Sequence, residues 1–350
     1  MKSKISILCP EYVPLENKGE EAIIRGVIDV LFNDYECEYH IVDNFRKDYY
    51  KVGNLHVHPG SLFFSDWRSR EFDLGLSFDQ IYSSFCSIIR NGLNKFFPIW
   101  IKKPHPQALK LRKYLSGEKK IPLKYKDSIE SLRKIDYVIA GHNGGLDEYV
   151  CHILNELNKI GFRYGIFGSS MKPNYTQKEL INIFKQTFRN SDFNVARNPI
   201  GLNWANKNFP DCLFELQPDP AFGMKPIDEI EISRLISKLK IEKYFEKPVL
   251  MFTTAEPAPI SRHSFYSHKG IKNKIIAHRE FLSELLKKLI EQFEVSVLFL
   301  PHTIGPTKRM DDRKISRDVV RKAGLAGSNK VKVIEDDLGA KELKGLISRA

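Results

Sequence analysis

The sequence predicts an α/β protein with two domains, each built on a parallel sheet. Short apolar runs alternate with amphipathic segments in two successive series, and strands that alternate with helices in this way build parallel sheets. A chain of 350 residues is long enough for two such cores. Between the two series, residues 217–223 contain two prolines and a glycine, which is typical of a domain boundary. We therefore expect domains at 1–222 and 223–350.

The first series begins with a buried strand and an amphipathic helix. Residues 4–8 are predicted to form a buried strand, and residues 17–32 place Ile23, Val27, Val30 and Leu31 on one helical face. Further strands are predicted at 38–42, 135–140, 162–167, 193–196 and 212–216, with helices at 146–160 and 176–188. Residues 45–80 show no clean period, so we place a basic, irregular insertion around 45–130.

The second series is shorter. It predicts strands at 249–253, 295–300 and 331–334 and helices at 228–243, 274–293, 315–323 and 341–348. Doubly wound domains usually have five or six strands. The last predicted helix also reaches the end of the chain without a Gly or Asn cap. We therefore expect the second domain to be incomplete.

Composition limits the class of protein. Apolar residues make up 42% of the chain and charged residues 28%, as in a soluble globular protein. The apolar runs are too short to span a bilayer and no signal peptide is evident, so we expect a cytoplasmic protein. The cysteines have no metal-ligand spacing, which predicts reduced core thiols. They are Cys9, Cys37, Cys86, Cys151 and Cys212.

Residues 88–134 hold most of the net charge of +12, with 13 Lys and Arg against three acids. Such a segment suits nucleic acid, an anionic membrane or an acidic substrate. Within it, the apolar residues 96–100 (Phe-Phe-Pro-Ile-Trp) are flanked by cations, as in an interfacial membrane anchor. Packing of these aromatics against the first domain is the alternative.

Five loops that follow predicted strands carry the candidate functional residues, because ligands of open α/β sheets bind at the carboxyl ends of strands. They are 16–21, 141–145, 196–199, 256–263 and 300–303. Asn17 can cap a helix and Gly19 can admit a ligand to exposed N–H groups. Arg197 suits a carboxylate or phosphate, and His302 is a candidate for proton transfer. An ordinary cap, a surface salt bridge and a solvated histidine are the respective alternatives.

No convincing metal site is predicted. His56 and His58 are expected in a loop without a readable pattern, and the adjacent pairs Asp311-Asp312 and Asp336-Asp337 have diverging side chains on a regular element.

Five segments, taken in order, resemble the polysaccharide pyruvyl transferase family. They are Asn17-x-Gly19-Glu20 before a helix, the turn 141–145, Val195-Ala196-Arg197, Pro218-Asp219-Pro220-Ala221-Phe222, and Pro301-His302 followed by Asp311-Asp312. Their order and spacing cover nearly the whole chain. Pro-Asp-Pro-Ala-Phe is the most specific of them.

The resemblance implies two Rossmann-like lobes that face a cleft, as in glycosyltransferase-B-like enzymes. It also implies transfer of pyruvate from phosphoenolpyruvate to sugar hydroxyls of a cell-surface polysaccharide precursor as a cyclic ketal, with no metal or nicotinamide. We expect Arg197 and His302 to be catalytic, with Arg197 matching a donor-binding arginine of the family. The expected substrate-binding residues are Asn17, Gly19, Gly144, Gly145, Arg197, Asp219, Arg262, His263 and His302.

Two departures from the family pattern qualify these expectations. Glu20 stands where relatives commonly have Asp, which makes a hydroxyl contact there less secure. An Arg-x-His motif associated with donor binding and catalysis is expected after the last helix, and the sequence ends before it. The sequence is therefore expected to be a piece of a longer protein, with its own activity in doubt.

The expected partners are phosphoenolpyruvate and a glycan acceptor, which a lipid-linked precursor would supply at the inner face of a membrane. Two alternatives stay open. One is a nucleotide-sugar glycosyltransferase of the same architecture, which would need a base-and-ribose pocket in the second domain. The other is a non-catalytic protein that binds glycan or nucleic acid, although no nucleic acid partner is expected under the leading hypothesis.

Overall fold

The computed structural model describes residues 2–44, 46–63, 105–141, 146–171, 178–255, 271–305 and 311–350. The chain forms two compact units. Unit 1 comprises Met1–Pro14 and Ile23–Gly223, and unit 2 comprises Leu15–Ala22 and Met224–Ala350. The chain passes from unit 1 to unit 2 at Gly223, within the proline-rich segment.

One segment differs from the sequence prediction. Residues 15–22 were expected in the first domain, but they belong to unit 2. The physical reason is backbone hydrogen bonding to the loop after a strand of unit 2: Lys18 N–H donates to the carbonyl of His302 at 2.9 Å, and Ile304 N–H donates to that of Glu16 at 3.0 Å.

The described part of unit 1 is built on an eight-stranded sheet. Its strands are β1 Ser3–Tyr12, β2 Tyr35–Asp43, β3 Tyr50–Val52, β4 Leu55–Pro59, β5 Tyr137–Ala140, β6 Tyr164–Ser169, β7 Asn194–Ala196 and β8 Glu215–Leu216. They lie in the order β3-β4-β2-β1-β5-β6-β7-β8. All neighbours are parallel except β3 and β4, which form an antiparallel pair.

Helices accompany this sheet on both faces. They are α1 Lys18–Leu31, α2 Gly60–Phe63, α3 Pro106–Leu115, α4 Lys126–Leu132, α5 Glu148–Asn158, α6 Lys178–Asn190, α7 Pro199–Asn208 and α8 Pro220–Gly223, with a 3₁₀ turn at Leu123–Tyr125. The first residues of α1 belong to unit 2.

Alternation along the strands divides the core of unit 1 into two layers. Ile7 packs in one apolar cluster with Val27 of α1, whereas its neighbour Leu8 packs in another with Leu154 of α5. Successive side chains of a strand point to opposite faces, so both faces of the sheet are covered by apolar residues. This is the doubly wound arrangement expected of parallel strands.

Unit 2 contains a three-stranded parallel sheet, β9 Val249–Phe252, β10 Ser296–Phe299 and β11 Val331–Val333, in the order β11-β10-β9. Its described helices are α9 Glu229–Leu239, α10 Ile271–Gln292, α11 Asp312–Lys322 and α12 Ala340–Ile347, with a 3₁₀ turn at Glu242–Glu246. Leu298 and Phe299 pack in separate apolar clusters, so this sheet is also covered on both faces. The α/β fold with parallel sheets is therefore confirmed.

Smaller features confirm or correct the sequence analysis. The predicted helix 228–243 ends at Leu239, because Lys240 adopts the left-handed conformation that terminates helices. Cys9, Cys37 and Cys151 are buried free thiols and Cys212 is a half-buried one, while Cys86 lies outside the described residues. In the portions of the chain that the structure describes, no helix has both the length and the apolar character needed to cross a bilayer.

The region without a readable pattern contains a buried histidine network. His56 and His58 lie on β4, not in a loop, and they face His40 of β2. His40 Nδ1 and His58 Nε2 are 2.9 Å apart. The outer nitrogens of these two rings meet Ser6 Oγ at 3.0 Å and Ser128 Oγ at 2.9 Å. Within the described ranges, no group of three or more His, Cys, Asp or Glu side chains is arranged to hold a metal ion.

Burial keeps these histidines neutral. His40 and His58 are almost completely buried, and loss of water lowers the pKa of His40 to about 3 and that of His58 well below its usual value. The pKa of His56 is lowered for the same reason. A neutral imidazole both donates and accepts one hydrogen bond, which suits a chain of rings that ends in hydroxyl groups.

We predict that this network makes unit 1 sensitive to acid. The folded pKa of His40 lies below its unfolded value near 6.5, so the stabilisation is complete above pH 6.5 and is lost as the pH falls toward 3. Between pH 6.5 and 5 the loss from His40 alone amounts to about 2 kcal/mol of unfolding free energy. Urea denaturation at both pH values, with His40→Gln beside the wild type, measures it. An equally steep loss in His40→Gln would contradict the assignment.

Candidate functional site

Five of the nine expected site residues lie in the described part of the chain. Arg197 and Asp219 belong to unit 1, and Asn17, Gly19 and His302 belong to unit 2. Gly144, Gly145, Arg262 and His263 lie outside the described residues.

In unit 1, the sheet positions Arg197 directly after β7. Its N–H donates to the Ser169 carbonyl at 3.0 Å, which extends the pairing with β6 by one residue. The guanidinium donates through Nε to Ser170 Oγ at 2.6 Å and through Nη1 to Asp219 Oδ2 at 2.7 Å. The side chain is 21% exposed, so this ion pair is half-buried rather than a solvated surface bridge.

Asp219 has two functions at once. Its Oδ1 accepts from Ala221 N–H at 3.0 Å at the start of α8, while Oδ2 holds Arg197. The carboxylate therefore fixes the orientation of the arginine. Among the described residues, no group bonds the remaining terminal nitrogen of Arg197, and that nitrogen is available for an anion.

Pro220, in the Pro-Asp-Pro-Ala-Phe segment, packs against two glycines. A Cβ added to Gly26 of α1 would lie 1.9 Å from the Pro220 carbonyl oxygen, and one added to Gly168 of β6 would lie 2.7 Å from the proline ring. Gly168 also has φ +78°, which favours glycine. Because both glycines lack a side chain, the segment packs closely on α1 and on the end of β6. This packing places Asp219 at the carboxyl ends of the strands.

Sequence reasoning missed a buried carboxylate at the same edge of the sheet. Glu11, near the end of β1, is 2% exposed, and its Oε2 accepts from Gly141 N–H after β5 at 2.7 Å. A glutamate at the end of an apolar strand was the available signal. Beyond β6, Met171 has φ +30°, and strained backbone of this kind is frequent at functional sites.

In unit 2, the first turn of α1 is held by the loop that follows β10. Asn17 and Thr303 form an antiparallel bridge, beside the backbone bonds of residues 16 and 18 described above. Asn17 Oδ1 accepts from Gly19 N–H at 3.0 Å, and its carbonyl accepts from Glu21 N–H at 3.1 Å. Asn17 therefore binds the N–H of Gly19 itself, while the expectation that Gly19 admits a ligand to the N–H groups of this turn stays a prediction.

Gly19 instead makes room for His302. A Cβ on Gly19 would lie 2.8 Å from Cε1 and 3.0 Å from Nε2 of the imidazole. His302 remains partly exposed to solvent. Packing on the turn removes part of the ring from water and lowers the pKa of His302, so the imidazole is mainly neutral near pH 7.

Asp312 fixes the backbone that carries this histidine. It is 3% exposed, and its Oδ2 accepts from Thr303 N–H at 2.8 Å. Its own N–H donates to the Thr303 carbonyl at 2.8 Å. Burial raises the pKa of Asp312 to about 6, although the backbone bonds from Thr303 and His302 oppose the shift. Asp311, as expected for a helix-start residue, caps α11.

Lys18 and Glu21 complete the turn, and sequence reasoning missed both. Lys18 is 7% exposed, and its Nζ lies 2.7 Å from Asp337 Oδ1 after β11. Glu21 Oε2 accepts from Ala340 N–H at 3.3 Å, at the start of α12. The two residues tie the turn to a second loop of unit 2. Their only sequence signal was their place beside Gly19.

The arrangement offers two kinds of chemistry. In unit 1, a fixed and partly available guanidinium suits a phosphate or carboxylate. In unit 2, a neutral and partly exposed imidazole suits proton abstraction. The amide nitrogen of Asn17, on the same turn, has no bond to another described residue and can donate to a ligand.

The sequence was compared with known families and proteins. The model of the polysaccharide pyruvyl transferase family matches residues 17–350. The chain belongs to the polysaccharide pyruvyl transferase family. The resemblance drawn from the motifs is thereby confirmed, and membership indicates a transferase of the polysaccharide pyruvylation type. No curated protein matches the sequence of this pyruvyl transferase family member.

Solved structures with a similar course of the chain include two UDP-N-acetylglucosamine 2-epimerases and an α,α-trehalose-phosphate synthase. A putative UDP-N-acetylglucosamine 2-epimerase from Listeria monocytogenes has 10% identity and a TM-score of 0.43 over 100% of this chain and 73% of its own. The UDP-GlcNAc 2-epimerase from Methanocaldococcus jannaschii has 12% sequence identity and a TM-score of 0.44, and the match covers 99% of this chain and 77% of its own. An α,α-trehalose-phosphate synthase (UDP-forming) from Burkholderia vietnamiensis has 11% sequence identity and a TM-score of 0.40, and the match covers 100% of this chain and 75% of its own.

We predict that two Gly→Ala changes in α1 of this family member differ in their effect on the free energy of unfolding. At Gly26 the new methyl meets the backbone of Pro220, which cannot give way, so unfolding free energy should fall by about 1–3 kcal/mol. At Gly19 it meets the mobile ring of His302, and the helix preference for alanine compensates to within about 1 kcal/mol.

Urea denaturation of both variants checks this pair. Each change adds the same methyl group to the same helix, so Gly19→Ala is the matched control for Gly26→Ala. Equal stability of the two variants would show that Pro220 does not pack on Gly26 as described.

Proposed function

We propose that this protein transfers the pyruvyl group of phosphoenolpyruvate to two hydroxyls of a glycan precursor, forming a cyclic ketal. The observation that carries the proposal is the family match over residues 17–350. Phosphoenolpyruvate presents a phosphate and a carboxylate, and the described residues include a guanidinium suited to such anions and an imidazole suited to a hydroxyl.

The reaction balances without an oxidant or reductant. A proton adds to the methylene carbon of phosphoenolpyruvate, and C2 becomes open to attack. Two sugar oxygens bond to C2 and lose their protons, while the bond from C2 to the phosphate oxygen breaks and the phosphate leaves with the electron pair. One of the released protons replaces the one taken up by carbon and the other goes to phosphate. C3 is reduced by one level and C2 is oxidised by one level, so the substrate has no net change in oxidation level and we propose no nicotinamide cofactor. We also propose, as the family resemblance implies, that no metal takes part.

Arg197 is proposed to bind the donor. Asp219 and Ser170 hold Nε and Nη1, so the guanidinium keeps one orientation while its remaining terminal nitrogen faces an anion. A fixed cation favours the departure of phosphate, since negative charge grows on the leaving oxygen. The cost of ordering a flexible side chain is already met in the free protein.

His302 is proposed to take a proton from an acceptor hydroxyl. A base must be unprotonated before it acts, and the lowered pKa of His302 keeps it so at neutral pH. Asn17 Nδ2, on the turn against which the ring packs, is proposed to bind an acceptor oxygen. Asp312 and Gly19 are proposed to position the imidazole and do not themselves touch substrate.

We further propose a lipid-linked glycan as the acceptor, which would make the protein peripheral on the inner face of a membrane. A soluble enzyme meets a lipid-linked substrate more often when it rests on the same surface. The apolar residues 96–100, which suggested a membrane location from the sequence, lie outside the described residues. Support for this location comes instead from the exposed lysines near Leu123 in unit 1.

The proposed donor site predicts weaker donor binding in Arg197→Gln. Loss of a charge-assisted hydrogen bond amounts to about 1.5–3 kcal/mol, or about 10- to 100-fold in the dissociation constant for phosphoenolpyruvate. Calorimetric titration measures it. Arg163→Gln is the matched control, because Arg163 also pairs with an aspartate, Asp192 at 2.9 Å. Arg163 precedes β6 and so lies at the amino ends of the strands, whereas Arg197 lies at their carboxyl ends. Equal affinity in both variants would exclude Arg197 from the donor site.

The proposed base predicts a pH dependence of turnover. Ketal formation from phosphoenolpyruvate labelled with ¹³C at C2, followed by NMR with a panel of diol-bearing glycans, should rise with pH through an apparent pKa below 6.5. Replacement His302→Gln should remove this limb and lower the rate by about 10²–10⁴-fold. An unchanged profile in His302→Gln would contradict its role, and release of phosphate without ketal would contradict the reaction itself.

A further inference from the structure

A lysine-rich surface of unit 1 carries one strongly exposed apolar side chain. We define the Leu123 surface as Lys119, Lys120, Leu123, Lys124 and Lys126, which follow α3 and include the 3₁₀ turn. All five residues are exposed, and Leu123 has 88% of its surface in solvent. The turn therefore projects a leucine between lysines.

Aromatic rings beneath the surface hold part of its charge. Lys124 Nζ lies 4.7 Å from the ring centroid of Tyr125, and Lys119 Nζ lies 5.9 Å from that of Tyr114. Both tyrosines are nearly fully buried, so the lysines rest on rigid parts of the fold. Cation–π contacts keep an ammonium group near the protein without neutralising its charge.

Few acids counter these lysines. From 117 to 127 the acidic residues are Glu118 and Asp127, and the Glu118 carboxylate is bound by Arg112 at 3.1 Å and by Ser116 at 2.9 Å. Glu130 lies 3.9 Å from Lys126 on the exposed face of α4. The four lysines of the Leu123 surface therefore leave an excess of positive charge.

Leu213 shows that exposure alone does not single out Leu123. Its side chain is 90% exposed, but its neighbours include Asp211 and Glu215. Asp211 is paired with Arg189 at 2.8 Å. Isolated exposed leucines are common on protein surfaces, and what distinguishes Leu123 is the four exposed lysines within four residues of it in the sequence.

We propose that the Leu123 surface docks on an anionic lipid bilayer, with the lysines against the headgroups and Leu123 inserted among them. Anionic headgroups attract each lysine near the surface, and an apolar side chain that enters the interface adds affinity. An apolar side chain amid cations fits a bilayer, which has charge above hydrocarbon, whereas a nucleic acid backbone offers no place for leucine. The inference rests on the proposed membrane location but not on the pyruvyl transfer.

Vesicle flotation of the full chain tests the proposal. Binding is expected to vesicles with about 30 mol% phosphatidylglycerol in phosphatidylcholine but not to phosphatidylcholine alone, and it should be lost at about 0.5 M salt. Leu123→Ser should weaken partitioning about fivefold or more, and the double change Lys119→Glu, Lys120→Glu at least tenfold.

Matched controls keep the result specific. Leu213→Ser removes an equally exposed leucine, and the double change Lys207→Glu, Lys238→Glu reverses two exposed lysines elsewhere in the chain. Both should float like the wild type, and thermal unfolding confirms that every variant is folded. No binding to anionic vesicles at low salt, or equal losses in the Leu123 and Leu213 variants, would overturn the proposal.

Two further outcomes separate the competing ideas. Binding of a nucleic acid oligomer that depends on the same lysines, without vesicle binding, would also overturn it. Retention of ketal formation on a soluble acceptor by Leu123→Ser, together with loss of vesicle binding, would support it. Because flotation needs no turnover, failure of the proposed reaction leaves this test intact.

Discussion

The contact on which the unit 2 site depends is that between the His302 ring and Gly19, where the imidazole occupies the place of a missing side chain. Backbone bonds between residues 16–18 and 302–304 hold the two loops in register, and Asp312 holds the histidine loop from the other side. The early segment 15–22 therefore folds with a strand end almost 300 residues later. The missing side chain at position 19 leaves room for this close approach, and loss of water around the ring lowers the pKa of His302.

Glycines also shape the site in unit 1. Gly26 and Gly168 admit Pro220 to the sheet edge, which places the Asp219 carboxylate beside Arg197. The arginine and the histidine thus have the same kind of support: each functional group is oriented by a buried or half-buried carboxylate, directly or through its backbone. Both carboxylates also bind backbone N–H groups, so the supports are part of the fold and not free surface charges.

Local periodicity predicted most of the fold, and the strand-end rule predicted the position of Arg197 and His302. What it missed depends on non-local backbone pairing. The assignment of residues 15–22 to unit 2 produces no apolar periodicity in the sequence. Lys18 is buried where it pairs with Asp337 and donates to the Leu15 carbonyl, and neither contact is evident from the sequence. The histidine network was missed because short strands with polar residues, such as that of His56 and His58, lack the alternation that identifies a strand. The motif Pro-Asp-Pro-Ala-Phe predicted a domain boundary. Its packing on Gly26 was not predicted, because the two segments are distant in the sequence and neither shows a local signal of the contact.

We propose that Gly19 keeps His302 as a neutral base on the first turn of α1. Two-bond ¹H–¹⁵N spectra of protein labelled at histidine, assigned with His302→Gln, report the protonation of this ring directly across the pH range. We expect a His302 midpoint below 6.5 in the wild type and an upward shift in Gly19→Ala, where the added methyl displaces the ring toward water. A wild-type midpoint at or above 6.5, or the same midpoint in both proteins, would contradict it.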